Sequence, residues 1–221
     1  MSCGSVSFFR FSTNYSLDNI VNGLLTRNKI TNWIVVNEQG EDFFSGEYYE
    51  MMPRKESYFD RKSMAVKIRE TEKLFVTKFL IDYQTKIISL FGGNDRVNRF
   101  VTMLGQIVNN DISIDAVGVD IRMFIKKIGE REKILIKKIK IRDVVLDSNV
   151  VATCTVSLED QCKMRDVLKK YINNISRVSV VLEDVNDLSL SVFESGRVVV
   201  YAKIDEFVST DIESLQKELV N

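Results

Sequence analysis

Leu74-Phe75-Val76-Thr77-Lys78-Phe79-Leu80-Ile81-Asp82-Tyr83-Gln84-Thr85-Lys86-Ile87-Ile88-Ser89-Leu90-Phe91-Gly92-Gly93-Asn94 is the stretch that decides the fold class. Two runs rich in β-branched and aromatic residues flank Tyr83-Gln84-Thr85, which reads as a hairpin. Gly92-Gly93 then breaks the strand pattern, and Asn94 is expected to cap a helix in which Val97, Phe100, Val101, Leu104 and Val108 recur at helical spacing.

The same hairpin-then-helix unit recurs downstream. Residues 133–145 and 150–156 read as strands joined across Asp147-Ser148-Asn149, and a helix follows, expected to start at Ser157-x-x-Asp160 and to bury Met164, Val167, Leu168, Tyr171 and Ile172. A third unit takes strands at 188–193 and 197–204 and a final helix with Ile212, Leu215 and Leu219 on one face. The fold class expected is α+β: antiparallel sheet built from hairpin-then-helix units, with helices covering one face. A soft boundary near Gly129 divides residues 1–129, with an aromatic hairpin, from residues 130–221; a single fused sheet is the competing arrangement. Upstream, 6–11 reads as a strand, Ser16 as a helix cap, and 33–36 and 43–51 as an antiparallel pair. The charged segment 52–62, with the only proline at Pro53, reads as a mobile loop.

Composition narrows the chemistry. The 221 residues carry 31 basic and 31 acidic side chains and no histidine. Ser-His-Asp and Cys-His nucleophiles, histidine-held zinc and imidazole proton shuttles are therefore excluded. Cys3, Cys154 and Cys162 form no C-x-x-C, so neither a disulfide framework nor a zinc ribbon is expected. Walker A, G-x-G-x-x-G and G-x-S-x-G patterns are absent from the sequence. No cofactor is expected. No apolar run approaches the roughly 20 residues of a membrane span, and the first residues lack signal-peptide character. A cytoplasmic location without a membrane partner is the expectation. Abundant Ile, Lys and Asn, against 10 glycines and one proline, fit an AT-rich bacterial or phage genome.

The neutral total hides a segregation. Residues 122–142 hold nine basic and two acidic side chains, whereas residues 182–221 hold three basic and nine acidic ones. The basic set includes Arg122, Lys126, Lys127, Lys133, Lys137, Lys138, Lys140 and Arg142. Along 133–142 the apolar residues switch from even to odd positions, so a β-bulge is expected at Lys137-Lys138. If the helix lysines at 126 and 127 neighbour Lys138, Lys140 and Arg142, they form a patch for a nucleic-acid backbone or an acidic protein surface. Lysines that merely solvate an exposed strand are the competing reading. Phe43, Phe44, Tyr48 and Tyr49 cannot all be buried on one face of a strand, which makes them candidates for a protein interface.

The function expected is a non-enzymatic interaction or assembly subunit of an intracellular bacterial or phage multi-protein complex, with a protein partner or a second copy of itself. Such a complex would be one that handles nucleic acid or acts in phage defence. One alternative is a nucleic-acid binder using residues 122–142. Another is a carboxylate and magnesium nuclease built on Asp60-Arg61-Lys62 with Glu50 or Glu56.

Overall fold

Ile87, Ile88, Leu90 and Phe91 are apolar on both parities of one strand, and such a strand needs a hydrophobic layer on each of its faces. The computed structural model supplies both layers. It describes residues 4–26, 31–130, 134–147, 150–157, 159–183, 187–201 and 209–219.

In chain order the elements are β1 (Gly4–Thr13), α1 (Leu17–Thr26), β2 (Asn32–Gln39), β3 (Phe43–Asp60), β4 (Ala65–Asp82), β5 (Ile87–Gly92), α2 (Asn94–Ile107), β6 (Ile112–Val117), α3 (Ile121–Glu130), β7 (Ile134–Asp147), β8 (Val150–Val156), α4 (Gln161–Lys170), β9 (Ile175–Leu182), β10 (Leu188–Phe193), β11 (Val198–Val200) and α5 (Ser209–Leu219). The architecture is α+β. The strands form one open antiparallel sheet in the order β2-β3-β4-β5-β1-β11-β10-β9-β7-β8, and β6 pairs with the far half of β1. Strands from both sides of Gly129 share this sheet, because β1 pairs with both β5 and β11.

The helices do not gather on one face, and this corrects the expected layout. Val6 and Phe8 of β1, Leu80 of β4, and Ile87 and Phe91 of β5 join a core with α3, α4 and α5. Phe11, Phe79, Ile81, Ile88 and Leu90 join a second core with α1 and α2. Neighbouring positions on one strand point to opposite sides, so the two cores lie on opposite faces of the sheet. The physical reason is the double-parity apolar run: one helical layer would have left half of it in water.

The segment 52–62 is not a loop. β3 and β4 stay paired from Phe43↔Asp82 to Asp60↔Ala65. β2 accompanies β3 only as far as Glu50, and β5 accompanies β4 only from Lys78 onward. Beyond Met51 and Leu74 the chain is therefore a two-stranded ribbon of nine residue pairs, about 30 Å long at ~3.3 Å per residue.

The bulge in β7 is present. Ile136 pairs with Val180 and Lys138 with Ser179, leaving Lys137 as the extra residue. It brings Ile134, Ile136, Ile139 and Ile141 into one core despite their change of parity. Helix starts follow capping chemistry with two adjustments. Asp120 Oδ1 accepts from the N–H groups of Arg122 (2.8 Å) and Met123 (3.2 Å) at the start of α3. The α4 cap is Asp160, whose carboxylate accepts from Cys162 and Lys163, whereas Ser157 donates to the Lys137 carbonyl. At α2 the N-cap is Gly93, one residue before Asn94.

Candidate interaction surfaces

The β3–β4 arm has two unlike faces. Cross-strand partners share a face, so Glu56 with Arg69 and Tyr58 with Lys67 lie on one side. That side is stitched together: Arg69 donates to Glu56 (3.1 Å) and lies 5.7 Å from the Tyr58 ring centroid, while Lys67 pairs with Asp60. The other side carries Ser57 with Ile68 and Phe59 with Val66. There Phe59 is 56% exposed, Val66 70% and Ile68 67%, and Met64 in the turn is 75% exposed. An isolated ribbon is marginally stable in water, and the polar ladder is what braces this one. The apolar side of the tip has no cover from any described residue.

Asp60 belongs to the bracing. Its carboxylate takes hydrogen bonds from Lys67, from the Ser63 hydroxyl (2.9 Å) and from the Lys62 N–H (3.0 Å), which together hold it below the ordinary carboxylate range, Lys67 contributing most. Glu56 lies four residues along the strand, about 13 Å away. Glu50 sits near the base of the arm, paired with Arg99 at 3.1 Å. The carboxylates considered for a nuclease centre therefore do not converge, and among the described residues no group of three or more metal-ligating side chains is found.

Two of the four candidate interface aromatics are core residues. Phe44 is fully buried 5.5 Å from Phe79, and Tyr48 meets Phe100 edge-on at 5.8 Å. Strand alternation turns both toward α2, and this removes them from any surface. Tyr49 is half-buried and stacks on Trp33 at 5.2 Å, and Phe43 is partly exposed. Burial raises the Tyr48 pKa above the ordinary phenol value, and the nearby Glu50 charge adds to the rise; Asn32 and Arg99 oppose it.

The basic segment is divided by the sheet. Arg122, Lys126 and Lys127 ride on α3, on the side of the core that holds Ile139 and Ile141. Lys138 and Lys140 alternate with those isoleucines and project from the opposite face. The single patch joining helix and strand lysines is therefore not formed. Lys137 is exposed at the bulge, Arg142 pairs with Glu194 at 2.6 Å, and Lys133 lies outside the described residues.

Other side chains surround Lys138 and Lys140 instead. α1 and α2 cover this face only over the β1–β5 half, and no described helix packs on it across β7 to β11. Register aligns Lys140, Arg177 and Phe193 on three successive strands, and Lys138, Ser179 and Ser191 beside them. The Arg177 and Arg197 guanidinium groups lie 5.8 Å and 5.9 Å from the Phe193 ring centroid. Ser179, Ser191 and Tyr201 share hydroxyl hydrogen bonds of 2.7 Å and 3.1 Å. Where the open half meets α2 there is a cavity of about 490 Å³, lined by Ser7, Phe9, Asn94, Asn98, Gly118 and Arg197. Arg177, Phe193 and Arg197 were missed in the sequence although a signal existed: Val178, Val180 and Leu182 alternate with Arg177, Ser179 and Val181, which marks Arg177 as the outward parity.

No protein-family model and no curated protein sequence matches the chain. Among the described residues no helix is long and apolar enough to cross a membrane.

Proposed function

We propose that this chain is a non-enzymatic interaction or assembly subunit of an intracellular multi-protein complex, and that the β3–β4 arm is its principal contact. The observation carrying the reading is the uncovered apolar side of the arm tip, at Phe59, Met64, Val66 and Ile68. Covering such side chains contributes ~1–2 kcal/mol each, and a partner that closes over the tip gains that energy without reorganising the braced side. Phe43 and Tyr49 add partly exposed rings on the first half of the sheet. The amino-acid bias points to a bacterial or phage setting, where assemblies that handle nucleic acid or act in phage defence are the first to examine.

The test places a photo-crosslinking residue at Phe59 or Ile68, with Glu213 on α5 as the control position, and expresses each chain in its native host. The expected outcome is one defined protein, or a second copy of the chain, captured from positions 59 and 68 but not from 213. Replacing residues 54–71 by a tight turn should abolish the complex while leaving the thermal midpoint nearly unchanged. A strictly monomeric chain with no crosslink from the arm overturns the proposal.

A further inference from the structure

Beyond the arm, we propose that the open face of β7, β9, β10 and β11, with the groove beside α2, binds single-stranded nucleic acid. Three observations converge on one surface. Lys138, Lys140, Arg177 and Arg197 have no carboxylate partner among the described residues; the acidic Glu194 near them is taken by Arg142. This is a local excess of positive charge that the neutral total conceals, and a phosphate backbone is its complement. Phe193 is half-exposed between two guanidinium groups, an arrangement on which a base can stack over the ring or over either arginine plane. The adjoining cavity presents the Asn94 and Asn98 amides, which supply both donors and acceptors to base edges.

The geometry selects single strands over duplex. Phe193 is set in the sheet surface between the Arg177 and Arg197 guanidinium groups, so a base reaches the ring only when it is free of its own stack. A polyglutamate-like acidic peptide would satisfy the four cations but brings no planar ring to stack on Phe193.

The test uses the full chain and fluorescence anisotropy with labelled oligo-dT and oligo-U of about 16 nucleotides, a duplex of equal length, and polyglutamate as competitor. Single strands should bind at low salt, with an affinity that falls as salt rises with a logarithmic slope of about −3 for four phosphate contacts. A repeat with oligo-dU, which differs from oligo-U only in the 2′-hydroxyl, assigns the sugar, and either preference supports the proposal. Phe193→Leu, which keeps an apolar side chain, should weaken binding about 5- to 100-fold through loss of stacking. Lys138→Ala with Lys140→Ala should reduce the slope by roughly one to one and a half. Lys126→Ala with Lys127→Ala, on the other face, should bind like the parent, and so should the chain lacking the arm, which separates this inference from the assembly proposal. The inference is overturned by any of three results: no binding of single strands at low salt, duplex or polyglutamate bound at least as tightly, or parental binding by both the Phe193 and the Lys138/Lys140 variants.

Discussion

Gln216 is the polar pin that fastens the last helix to the first half of the sheet, and removing it gives a worked prediction. Its side chain is 2% exposed. Oε1 accepts from the Ser89 hydroxyl at 2.7 Å, and Nε2 donates to Asp82 Oδ2 at 2.9 Å and to Thr85 Oγ1 at 3.1 Å. Gln216→Ala leaves the fully buried Ser89 hydroxyl without a partner, which costs about 1–3 kcal/mol, and removes a bond to a charged carboxylate worth about 1.5–3 kcal/mol. These terms overlap, so the expected loss is about 3 kcal/mol, or a fall in thermal midpoint of about 6–12 °C for a chain of this size. Ser89→Ala introduced with Gln216→Ala should recover at least ~1 kcal/mol relative to Gln216→Ala alone, because the orphaned hydroxyl is then gone. Denaturant unfolding followed by circular dichroism measures all four corners of the cycle. A loss below about 1 kcal/mol for Gln216→Ala, or strictly additive effects at 216 and 89, would refute the reasoning.

Two other perturbations probe the surface and the core. Gly196 has φ +78°, and a Cβ there would lie 2.4 Å from the Gly118 Cα, so Gly196→Ala should cost about 2–3 kcal/mol in unfolding assays and weaken nucleic-acid binding by displacing the adjacent Arg197. An unchanged melting curve would contradict that close approach. Because the Tyr48 pKa is raised in the folded state, its contribution to stability is full below the ordinary phenol value of about 10 and is lost as pH rises through the higher folded value. Absorbance at about 295 nm should show a late phenol ionisation that Tyr48→Phe removes; a titration curve that Tyr48→Phe leaves unchanged above a pH of about 10 speaks against the buried placement.

Hairpins and helices were legible where the chain has a strong apolar period, as at 74–108, and the bulge at Lys137 was legible because the apolar parity changes there. The outgoing strand of the arm, at residues 52–60, was not. Arg54, Lys55 and Glu56 after a proline, with Arg61 and Lys62 beyond, carry no clean apolar period and look like a loop until Glu56 and Asp60 find Arg69 and Lys67 across the strands. The two-sided distribution of helices was written in Phe79-Leu80-Ile81 and Ile87-Ile88, where both parities are apolar, yet which helix takes which face depends on register that only the folded sheet defines. Of the candidate site, Lys138 and Lys140 were visible as an outward pair. Their neighbours Arg177 and Phe193 belong to other strands, and adjacency across strands is a property of topology, not of local sequence.

β1 gives the fold a particular order of completion. Gly4 pairs with Val200, Phe9 with Ile88 on one side and with Ala116 on the other. β1 is made before all of its partners and thus waits for β5, then β6, and gains its last neighbour only when β11 has been made. Until then the Gly4–Val6 end of one margin of β1 stays open, a template for wrong pairing during synthesis. Contacts so distant along the chain also slow folding, so this protein should mature late, after translation has passed residue 200.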